Sequence, residues 1–365
     1  MSRIKIALVG FHLHGGGTAR VMTNLSNFFH EKGFEVHNII IHDEIGYDYS
    51  GSLYNLGKLK SKSNTILNKL KRVIYFRRYM KKHQFDFIID FRFRKRILQE
   101  YLISRFVYNI ERTIYTIHSS QLEIYLPKSA FWAKVIYAKA YKIIAITKAM
   151  QELVEVKYPM LNNISMIYNP IIANNIAIKK EDVVNLNFEY YIAVGHFDTN
   201  QKQFDKLIEA YSKSMLPGKQ VHLVILGKGK KQLELENLAK ETGVKDTVHF
   251  LGFQENPYKY MKNAKAFVLS SWHEGHPMVL IEALCCDTPV IAFDCPTGPR
   301  EVVSHYENGL LIEDQNFEAL TMGLNTMLRD ETLRKKCKDN ALKSTQKFSI
   351  EVIGNQWLDL MTIKN

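Results

Sequence analysis

Cysteine is scarce in this chain, and its spacing does not suggest a disulfide framework. Only four cysteines occur among 365 residues, and two of them are adjacent. Adjacent cysteines do not readily bridge each other, which argues against a small disulfide-stabilised fold. No Cys/His spacing is typical of a zinc site. We therefore expect a protein of a reducing cytoplasm without a bound metal. The cysteines are Cys285, Cys286, Cys295 and Cys337.

Long hydrophobic runs and two common enzyme motifs are also missing. No eighteen consecutive apolar residues occur, so we expect no membrane span. The opening residues MSRIKIALVG hold a short apolar run interrupted by Lys5 and predict no signal peptide. The glycine fingerprint G-x-G-x-x-G is absent, which disfavours a nicotinamide enzyme. No Asp-x-Asp occurs either, so the sequence implies no catalytic metal.

The hydrophobic pattern predicts an α/β protein of two domains. The chain is long enough for two substantial cores. Short apolar runs typical of buried parallel strands alternate with helical patterns in both halves. Residues 171–187 are polar with scattered isoleucine and valine, and we interpret them as a linker. The predicted domains are 1–170 and 188–345, and the helix of 346–365 is expected to pack back on the first domain.

A predicted helix in the second half begins directly after a loop and presents an anion site. An apolar strand at 266–269 precedes the loop, and Pro277 suits the first helical position because its missing N–H costs nothing there. We expect the amides of Met278 and Val279 to be free at this helix end. Free amides and the helix dipole together favour a bound anion such as a phosphate.

Two carboxylates flank this predicted anion site. Glu274 lies in the loop before the helix, and Glu282 lies on the helix further in. A carboxylate accepts paired hydrogen bonds from adjacent hydroxyls. A ligand with phosphate at the helix end and hydroxyl-rich groups beside it is a nucleotide-sugar. The alternative is that both glutamates are ordinary surface charges of an α/β unit.

A strand, a glycine loop and a helix open the first half, an arrangement that cradles phosphate. The three adjacent glycines Gly15, Gly16 and Gly17 let the backbone approach a ligand closely. His12 and His14 flank the loop, and a lone histidine in a loop is more often incidental than a ligand contact. The loop is therefore a candidate contact for the same nucleotide-sugar.

Residues 271–293 resemble the donor-site signature of family-4 glycosyltransferases, which are retaining enzymes of the GT-B fold. That signature has two glutamates separated by seven residues, Gly-x-Pro after the first glutamate, and Pro-Val-Ile-Ala after the helix. All of these elements occur here. His276 stands where the family commonly has an aromatic residue, and Asp287 stands where it commonly has glycine. The resemblance is strong over 188–313 and looser over 1–170.

The resemblance implies a fold and an activity. The fold would be GT-B, with two doubly wound Rossmann-like domains facing across a cleft. The enzyme would move a hexosyl or N-acetylhexosaminyl group from a nucleoside-diphosphate sugar, with UDP the expected nucleotide, to a hydroxyl with retained configuration. The acceptor would be a lipid-linked oligosaccharide, a lipopolysaccharide, or a capsule or O-antigen precursor. Beyond the donor, no cofactor and no metal are implied.

The resemblance also assigns roles to single residues. His118 follows a predicted strand, where the family has a histidine that contacts the transferred sugar. Lys202 matches a cation that binds the diphosphate, whereas His196 replaces the usual arginine and lacks its bidentate fork. The residues so implied in catalysis are His118, Lys202 and Glu274, and those in donor binding are Gly15, Gly16, Gly17, His196, Lys202, Gly252, Glu274, Gly275, His276, Pro277, Met278, Val279 and Glu282.

Positive charge is concentrated in one region. The net charge is +12, and residues 58–112 hold sixteen lysines and arginines against four acidic residues. Within this region, the predicted helix 69–82 interleaves bases with aromatics, and a second basic cluster follows at 92–96. A basic amphipathic helix is typical of binding to anionic lipid. The candidate membrane residues are Lys69, Lys71, Arg72, Arg77, Arg78, Lys81 and Lys82, with Tyr75, Phe76 and Tyr79 expected in the lipid interface.

Other interpretations of the basic region and of the whole chain stay open. The helix is also consistent with an ordinary solvated face. Nucleic acid is not expected as a partner, because no nucleic-acid-binding motif accompanies the charge. We expect a peripheral protein on the cytoplasmic face of the membrane. The alternative function is a non-catalytic nucleotide-sugar- or anionic-lipid-binding protein of the same fold. A nucleotide-sugar-binding protein would keep Glu282 without needing His118 or Lys202.

Overall fold

The computed structural model describes residues 3–60 and 65–362, which form two compact units. The first unit contains the described residues up to Pro170 and those from Ile350 onward. The second unit is Ile171–Ser349. Each unit contains one parallel sheet with helices in the connections between strands.

Seven parallel strands form the sheet of the first unit. They are β1 Lys5–Gly10, β2 Glu35–Ile40, β3 Ser52–Asn55, β4 Phe87–Asp90, β5 Thr113–Ile117, β6 Lys142–Ala145 and β7 Ile164–Met166. Their order in the sheet is β3-β2-β1-β4-β5-β6-β7. The helices in the connections are α1 Gly17–Glu31, α2 Ile66–His83, α3 Ile97–Leu102, α4 Ala130–Tyr137 and α5 Lys148–Lys157.

The central strand of this sheet is buried on both faces. Ala7 and Val9 of β1 enter one hydrophobic cluster, and Ile6 and Leu8 enter another on the opposite face. A fully buried valine, isoleucine or leucine side chain contributes about 1.5–3 kcal/mol. Burial on both faces explains why residues 6–9 are a continuous apolar run that the sequence pattern identifies.

Six parallel strands form the sheet of the second unit. They are β8 Glu189–Val194, β9 Val221–Leu226, β10 Val248–Phe250, β11 Ala266–Leu269, β12 Val290–Phe293 and β13 Gly309–Ile312, in the order β10-β9-β8-β11-β12-β13. The helices are α6 Ala173–Lys179, α7 Phe204–Lys213, α8 Gln232–Glu241, α9 Tyr258–Asn263, α10 Met278–Cys285, α11 Pro299–Val302, α12 Phe317–Arg329 and α13 Glu331–Ser344.

The last helix, α14 Ile350–Leu360, belongs to the first unit although it follows the second in sequence. Its residues Ile353 and Trp357 enter the same cluster as Phe28 of α1. Gly354 is required at the contact, because a Cβ there would lie 2.3 Å from the Phe28 ring. The crossover falls at Ser349 and Ile350, a few residues after the start of the predicted terminal segment.

Two segments differ from the sequence prediction. The stretch predicted as a linker contains α6, because Ile176 is buried and the Lys180 ammonium pairs with Asp287 of the second unit. Strand β3 had no counterpart among the predicted strands. Its four residues are only partly buried or exposed, because β3 is an edge strand, and so they carry no clear apolar pattern.

None of the described helices combines the length and apolar character that crossing a membrane requires.

The strand order reverses once in each sheet, and this places the candidate site. The reversal lies between β1 and β4 in the first unit and between β8 and β11 in the second. Connections from adjacent strands diverge at such a point, and ligands of open α/β sheets bind outside the carboxyl ends there. The loops that follow these four strands are therefore the candidate ligand-binding segments.

Candidate active site

An ion pair spans the reversal point of the second sheet. Lys202 lies in the loop after β8, and Glu274 lies in the loop after β11. The Lys202 Nζ donates to Glu274 Oε1 at 2.6 Å. The two side chains are only 19% and 9% exposed, so the pair is largely shielded from water. The structure thus brings together two of the three residues predicted to be catalytic.

Side-chain hydroxyls of neighbouring residues hold these two loops in place. The Ser270 hydroxyl donates to the Lys202 carbonyl at 2.8 Å, and the buried Thr297 hydroxyl donates to the Glu274 carbonyl. Gly298 has a φ of +92°, and a Cβ there would lie 2.4 Å from the Gly275 carbonyl oxygen. The loop after β12 therefore packs against the Glu274 loop, and only glycine fits at that contact.

The start of α10 departs from the prediction in one respect. Pro277 caps the helix, which begins at Met278, one residue later than expected. The Met278 N–H donates to the His276 carbonyl at 2.8 Å, so this amide is not free as predicted. The cause is a tight turn at Pro277 that brings the His276 carbonyl onto the helix end. Val279 follows Met278 in the first turn and is half-buried.

The remaining predicted donor residues of the second unit differ in exposure. Glu282 lies on α10 and is half-buried. His276 is 6% exposed, and its ring packs edge-to-face on Phe348 at 5.0 Å. It thus fills the position that the family gives to an aromatic side chain. His196 is exposed in the loop after β8, and Gly252 has a left-handed φ of +69° with open space where a Cβ would be.

The glycine loop of the first unit follows β1 at the other reversal point. Gly15 and Gly16 have φ values of +58° and +76°, which glycine adopts without strain. Open space lies where a Cβ of Gly15, Gly16 or Gly17 would be. Gly16 caps α1 without a side-chain hydrogen bond, and the first turn contains no acidic residue. A helix end of this kind attracts an anion.

His118 lies just after β5, as predicted, and is half-buried. Its Nε2 is 2.9 Å from the Thr116 hydroxyl, whereas its buried Nδ1 has no hydrogen-bond partner within the described chain. Burial, and secondarily the charge of Arg94, lowers the pKa of His118 far below its ordinary value. The imidazole is therefore neutral at physiological pH, with one ring nitrogen that can act as a donor and one as an acceptor.

The predicted second basic cluster is only partly a surface feature. Arg92 and Arg94 are 3% and 2% exposed, so these two bases of the cluster do not lie on the surface. The Arg92 Nη2 lies 2.7 Å from Asp90 Oδ2 and 2.9 Å from Glu100 Oε2. Burial opposes its charge, but the acidic neighbours, with Asp90 foremost, raise the pKa of Arg92 well above its ordinary value.

Arg94 is enclosed by aromatic rings rather than by acids. Its guanidinium lies 5.0, 5.3 and 5.7 Å from the ring centroids of Tyr115, Tyr125 and Tyr137. It donates to the carbonyls of Tyr125 and Thr116. Thr116 therefore links the two side chains, because its carbonyl accepts from Arg94 and its hydroxyl contacts His118. The sequence held no signal for this role, since a buried and an exposed arginine look alike in a basic run.

The described residues also contain a cluster with metal-ligand geometry that the sequence analysis missed. Glu35, His37 and His83 have ligand atoms within 4.8 Å of one another. His37 already contacts the Tyr79 hydroxyl at 2.6 Å and Glu35 at 2.9 Å, and the Lys5 ammonium lies 3.7 Å from Glu35. These contacts satisfy the cluster without an ion. It sits at the amino end of β2, away from the carboxyl ends where ligands bind.

The predicted membrane helix exists as α2, but two of the aromatic residues expected in the lipid interface pack within the protein. Phe76 is buried in the core, and Tyr79 stacks on Tyr54 at 3.8 Å, so neither is available to lipid. Tyr75 is half-buried. Residues 61–64 of the basic region lie outside the described chain. The predicted bases are exposed, apart from the half-buried Arg72; they are Lys69, Lys71, Arg77, Arg78, Lys81 and Lys82.

Comparison with known proteins defines the class. Residues 15–174 match the family model described as Glycosyltransferase Family 4, and residues 174–344 match Glycosyl transferases group 1. Two parallel-sheet units, each with a site at its strand-order reversal, are the components of a GT-B glycosyltransferase. The chain belongs to glycosyltransferase family 4, as the resemblance of residues 271–293 implied, and the GT-B fold expectation is confirmed.

Curated relatives match over nearly the whole length. A Campylobacter jejuni N-acetylgalactosaminyltransferase, named for a diphospho-undecaprenol-linked acceptor, is 31% identical over 353 residues, which cover 94% of this chain and 95% of the relative. The amylovoran biosynthesis glycosyltransferase AmsD of Erwinia amylovora is 25% identical over 350 residues, covering 95% and 96%.

Solved structures share the fold at lower identity. Anabaena HepE in complex with UDP superposes with a TM-score of 0.79 at 18% identity, covering 98% of this chain and 100% of that one. The lipopolysaccharide outer core galactosyltransferase WaaB superposes with a TM-score of 0.72 at 20% identity, covering 98% and 99%.

Proposed function

We propose that this protein is a retaining, metal-independent glycosyltransferase of bacterial surface-polysaccharide synthesis. It moves a hexosyl or N-acetylhexosaminyl group from a UDP-sugar to a hydroxyl of a lipid-linked glycan precursor. The observation that carries the proposal is the shielded Lys202–Glu274 pair at the reversal point of the second sheet. The C. jejuni relative supports the lipid-linked acceptor, and the HepE complex supports UDP as the nucleotide.

The chemistry follows from which groups carry charge at the site. Loss of the diphosphate concentrates negative charge on its oxygens, and fixed cations or amides stabilise that charge best where water is excluded. An ammonium has three donors, so Lys202 donates to a phosphate oxygen while keeping its bond to Glu274. The uncapped start of α1 at Gly16 and Gly17 offers further backbone donors. These groups occupy the role that a divalent metal has in other transferases.

Glu282 and His118 orient the rest of the donor in this proposal. The Glu282 carboxylate accepts from the ribose hydroxyls, and the neutral His118 bonds a hydroxyl of the transferred sugar. The exposed His196 donates one hydrogen bond to the phosphate or the sugar in place of the fork of an arginine. The enzyme works at the cytoplasmic face of the membrane, where a lipid-linked acceptor is held.

Transfer from a panel of nucleotide-sugars to lipid-linked acceptors, scored by mass spectrometry, tests the proposal. We expect the mass of one acceptor to rise by one hexose or one N-acetylhexosamine, with equal yield in the presence of EDTA. Tight UDP-sugar binding without any mass change would instead support a non-catalytic binding protein. Loss of transfer in EDTA and recovery with Mg²⁺ or Mn²⁺ would overturn metal independence.

A further inference from the structure

An apolar stripe runs along the solvent face of α2. Leu67, Leu70 and Ile74 are 78%, 55% and 51% exposed, and their spacing of three and four residues places them on one side of the helix. Arg77 and Lys81 continue the same stripe and are exposed. Phe76 and Met80, on the opposite side, are buried in the core. The lipid-facing candidates are therefore aliphatic residues that the charge pattern did not single out.

A second stripe lies on the neighbouring helix. Helix α3 continues directly into a π-helical turn at Ile103–Val107, so residues 97–107 form one helical segment. Leu98, Leu102 and Phe106 recur every four residues on it and are all exposed, with Leu98 72% exposed. Ile103 and Val107 face inward and are buried. This segment thus buries one face and leaves an apolar face to solvent.

Three contacts place these stripes side by side on the first unit. The Arg77 Nε donates to the Phe106 carbonyl at 2.9 Å, which joins α2 to the segment 97–107. On its other side, an Arg105 Nη donates to the Val135 carbonyl of α4 at 3.3 Å. The exposed Trp132 of α4 lies edge-on to Tyr101 with ring centroids 6.2 Å apart. Phe131, beside it, is 64% exposed.

We call this area the apolar surface; it consists of Leu67, Leu70, Ile74, Leu98, Leu102, Phe106, Phe131 and Trp132. Its rim is cationic. Of the three acidic residues between 65 and 107, Asp90 and Glu100 are buried against Arg92 and only Asp86 is partly exposed. The exposed bases around it are Arg77, Arg78, Lys81, Lys95, Arg96, Arg105 and Lys134.

We infer that the apolar surface inserts into the headgroup region of an anionic lipid bilayer. Large exposed apolar areas on soluble proteins mark interaction sites, and Leu, Phe and Trp within a basic rim suit the lipid–water interface. The inference adds a membrane-docking surface to the proposed function, and it rests on the lipid-linked acceptor of that proposal. Insertion of apolar side chains predicts binding that persists when salt screens the charges.

Sedimentation of the purified full-length protein with vesicles tests the inference. We expect binding to phosphatidylglycerol vesicles that falls but persists at high salt, and weak binding to phosphatidylcholine vesicles. Combining Leu98→Glu with Phe106→Glu should lower the bound fraction about tenfold at either salt concentration, because charges oppose entry into the interface. The matched control combines Val156→Glu with Leu233→Glu, which are 82% and 71% exposed outside the apolar surface, and should bind as the unmodified protein does.

Tryptophan fluorescence gives a second readout that does not depend on the variants folding equally well. Brominated lipids should quench the emission of Trp132 in the vesicle-bound protein, and Trp132→Phe should remove that quenching. Equal loss of binding in the control, complete release by salt, or no quenching would overturn the inference. Self-association lost in the Leu98→Glu, Phe106→Glu variant, without vesicle binding, would instead assign the surface to a second copy of the chain.

The experiment separates this inference from the proposed function, because vesicle binding is measured without a donor. Vesicle binding that follows the pattern above, with no sugar transfer to any acceptor, would support the lipid-binding role of the apolar surface. The same result would refute the proposed transferase activity. Transfer to a soluble acceptor analogue should be unchanged in the Leu98→Glu, Phe106→Glu variant. If that transfer were lost as well, the surface would belong to the catalytic fold rather than to lipid binding.

Discussion

Lys202 and Glu274 are 72 residues apart in sequence, yet the Nζ of one lies 2.6 Å from the Oε1 of the other. Their contact joins the loops that leave β8 and β11, the two strands between which the sheet order reverses. An ammonium held there, largely out of water, is oriented before any donor arrives. Such preorganised charge accounts for a large share of catalysis in reactions that release an anion.

Replacing Lys202 should therefore slow transfer without unfolding the protein. Lys202→Met is expected to lower kcat about a hundredfold or more, the usual effect of removing one group that stabilises developing negative charge. Steady-state kinetics with a saturating donor measures it. Lys206→Met is the matched control, because Lys206 is an exposed lysine on the next helix that pairs only with Glu209 within the described chain. Equal activity of both variants would exclude Lys202 from the reaction.

Glu282 should affect donor binding rather than the chemical step. Glu282→Ala removes an acceptor for the ribose hydroxyls, and a hydrogen bond to a charged group contributes about 1.5–3 kcal/mol. Calorimetry with UDP should show a correspondingly weaker affinity. Glu318→Ala, at an exposed position on α12 of the same unit, should bind UDP normally. Unchanged affinity in Glu282→Ala would remove this residue from the site.

Arg92 should act through stability alone. Arg92→Met leaves Asp90 and Glu100 buried without their counter-charge, a loss that costs about 3–5 kcal/mol in comparable buried pairs. Urea unfolding should show this fall in the free energy of unfolding. Arg96→Met, four residues on at an exposed position, should change it by less than about 0.5 kcal/mol. Equal stability of the two variants would mean that the Arg92 network is not formed.

The lowered pKa of His118 predicts a pH dependence of stability. The unfolded chain protonates this histidine below its ordinary pKa of about 6.5, whereas the folded protein does so only at more acidic pH. Its contribution to stability is therefore present above that value and falls as the pH drops below it. Between pH 7 and pH 5 the unmodified protein should lose up to about 2 kcal/mol more than His118→Gln does. Parallel losses in both proteins would contradict the assignment.

Local patterns made much of the fold and part of the site predictable. Residues 6–9 of strand β1 are an uninterrupted apolar run, and the loop around Glu274 carries its own glycine and proline signals, so both could be identified without the structure. The hydrogen bond from the Met278 N–H to the His276 carbonyl could not be predicted, because it depends on the backbone conformation of one turn.

Charge and aromatic patterns were less informative than apolar runs. Arg92 is buried against Glu100 on α3, and Arg94 is buried among three tyrosine rings. These partners come from other elements, so the spacing of residues 92–96 does not predict the burial of either arginine. On α2, apolar residues occur on both faces, so the periodicity did not tell Phe76, which is buried, from Leu70, which is exposed. Tertiary packing decided both outcomes.

The stereochemistry of transfer, measured in EDTA, tests whether the enzyme is retaining and metal-independent. A UDP-sugar labelled with ¹³C at its α-configured anomeric carbon is incubated with an accepted lipid-linked acceptor in EDTA, and the one-bond carbon–proton coupling of the product is read by NMR. We expect a glycosidic product that keeps the α configuration, formed at the same rate as without EDTA. A β-linked product, or transfer that stops in EDTA and returns with Mg²⁺, would contradict it.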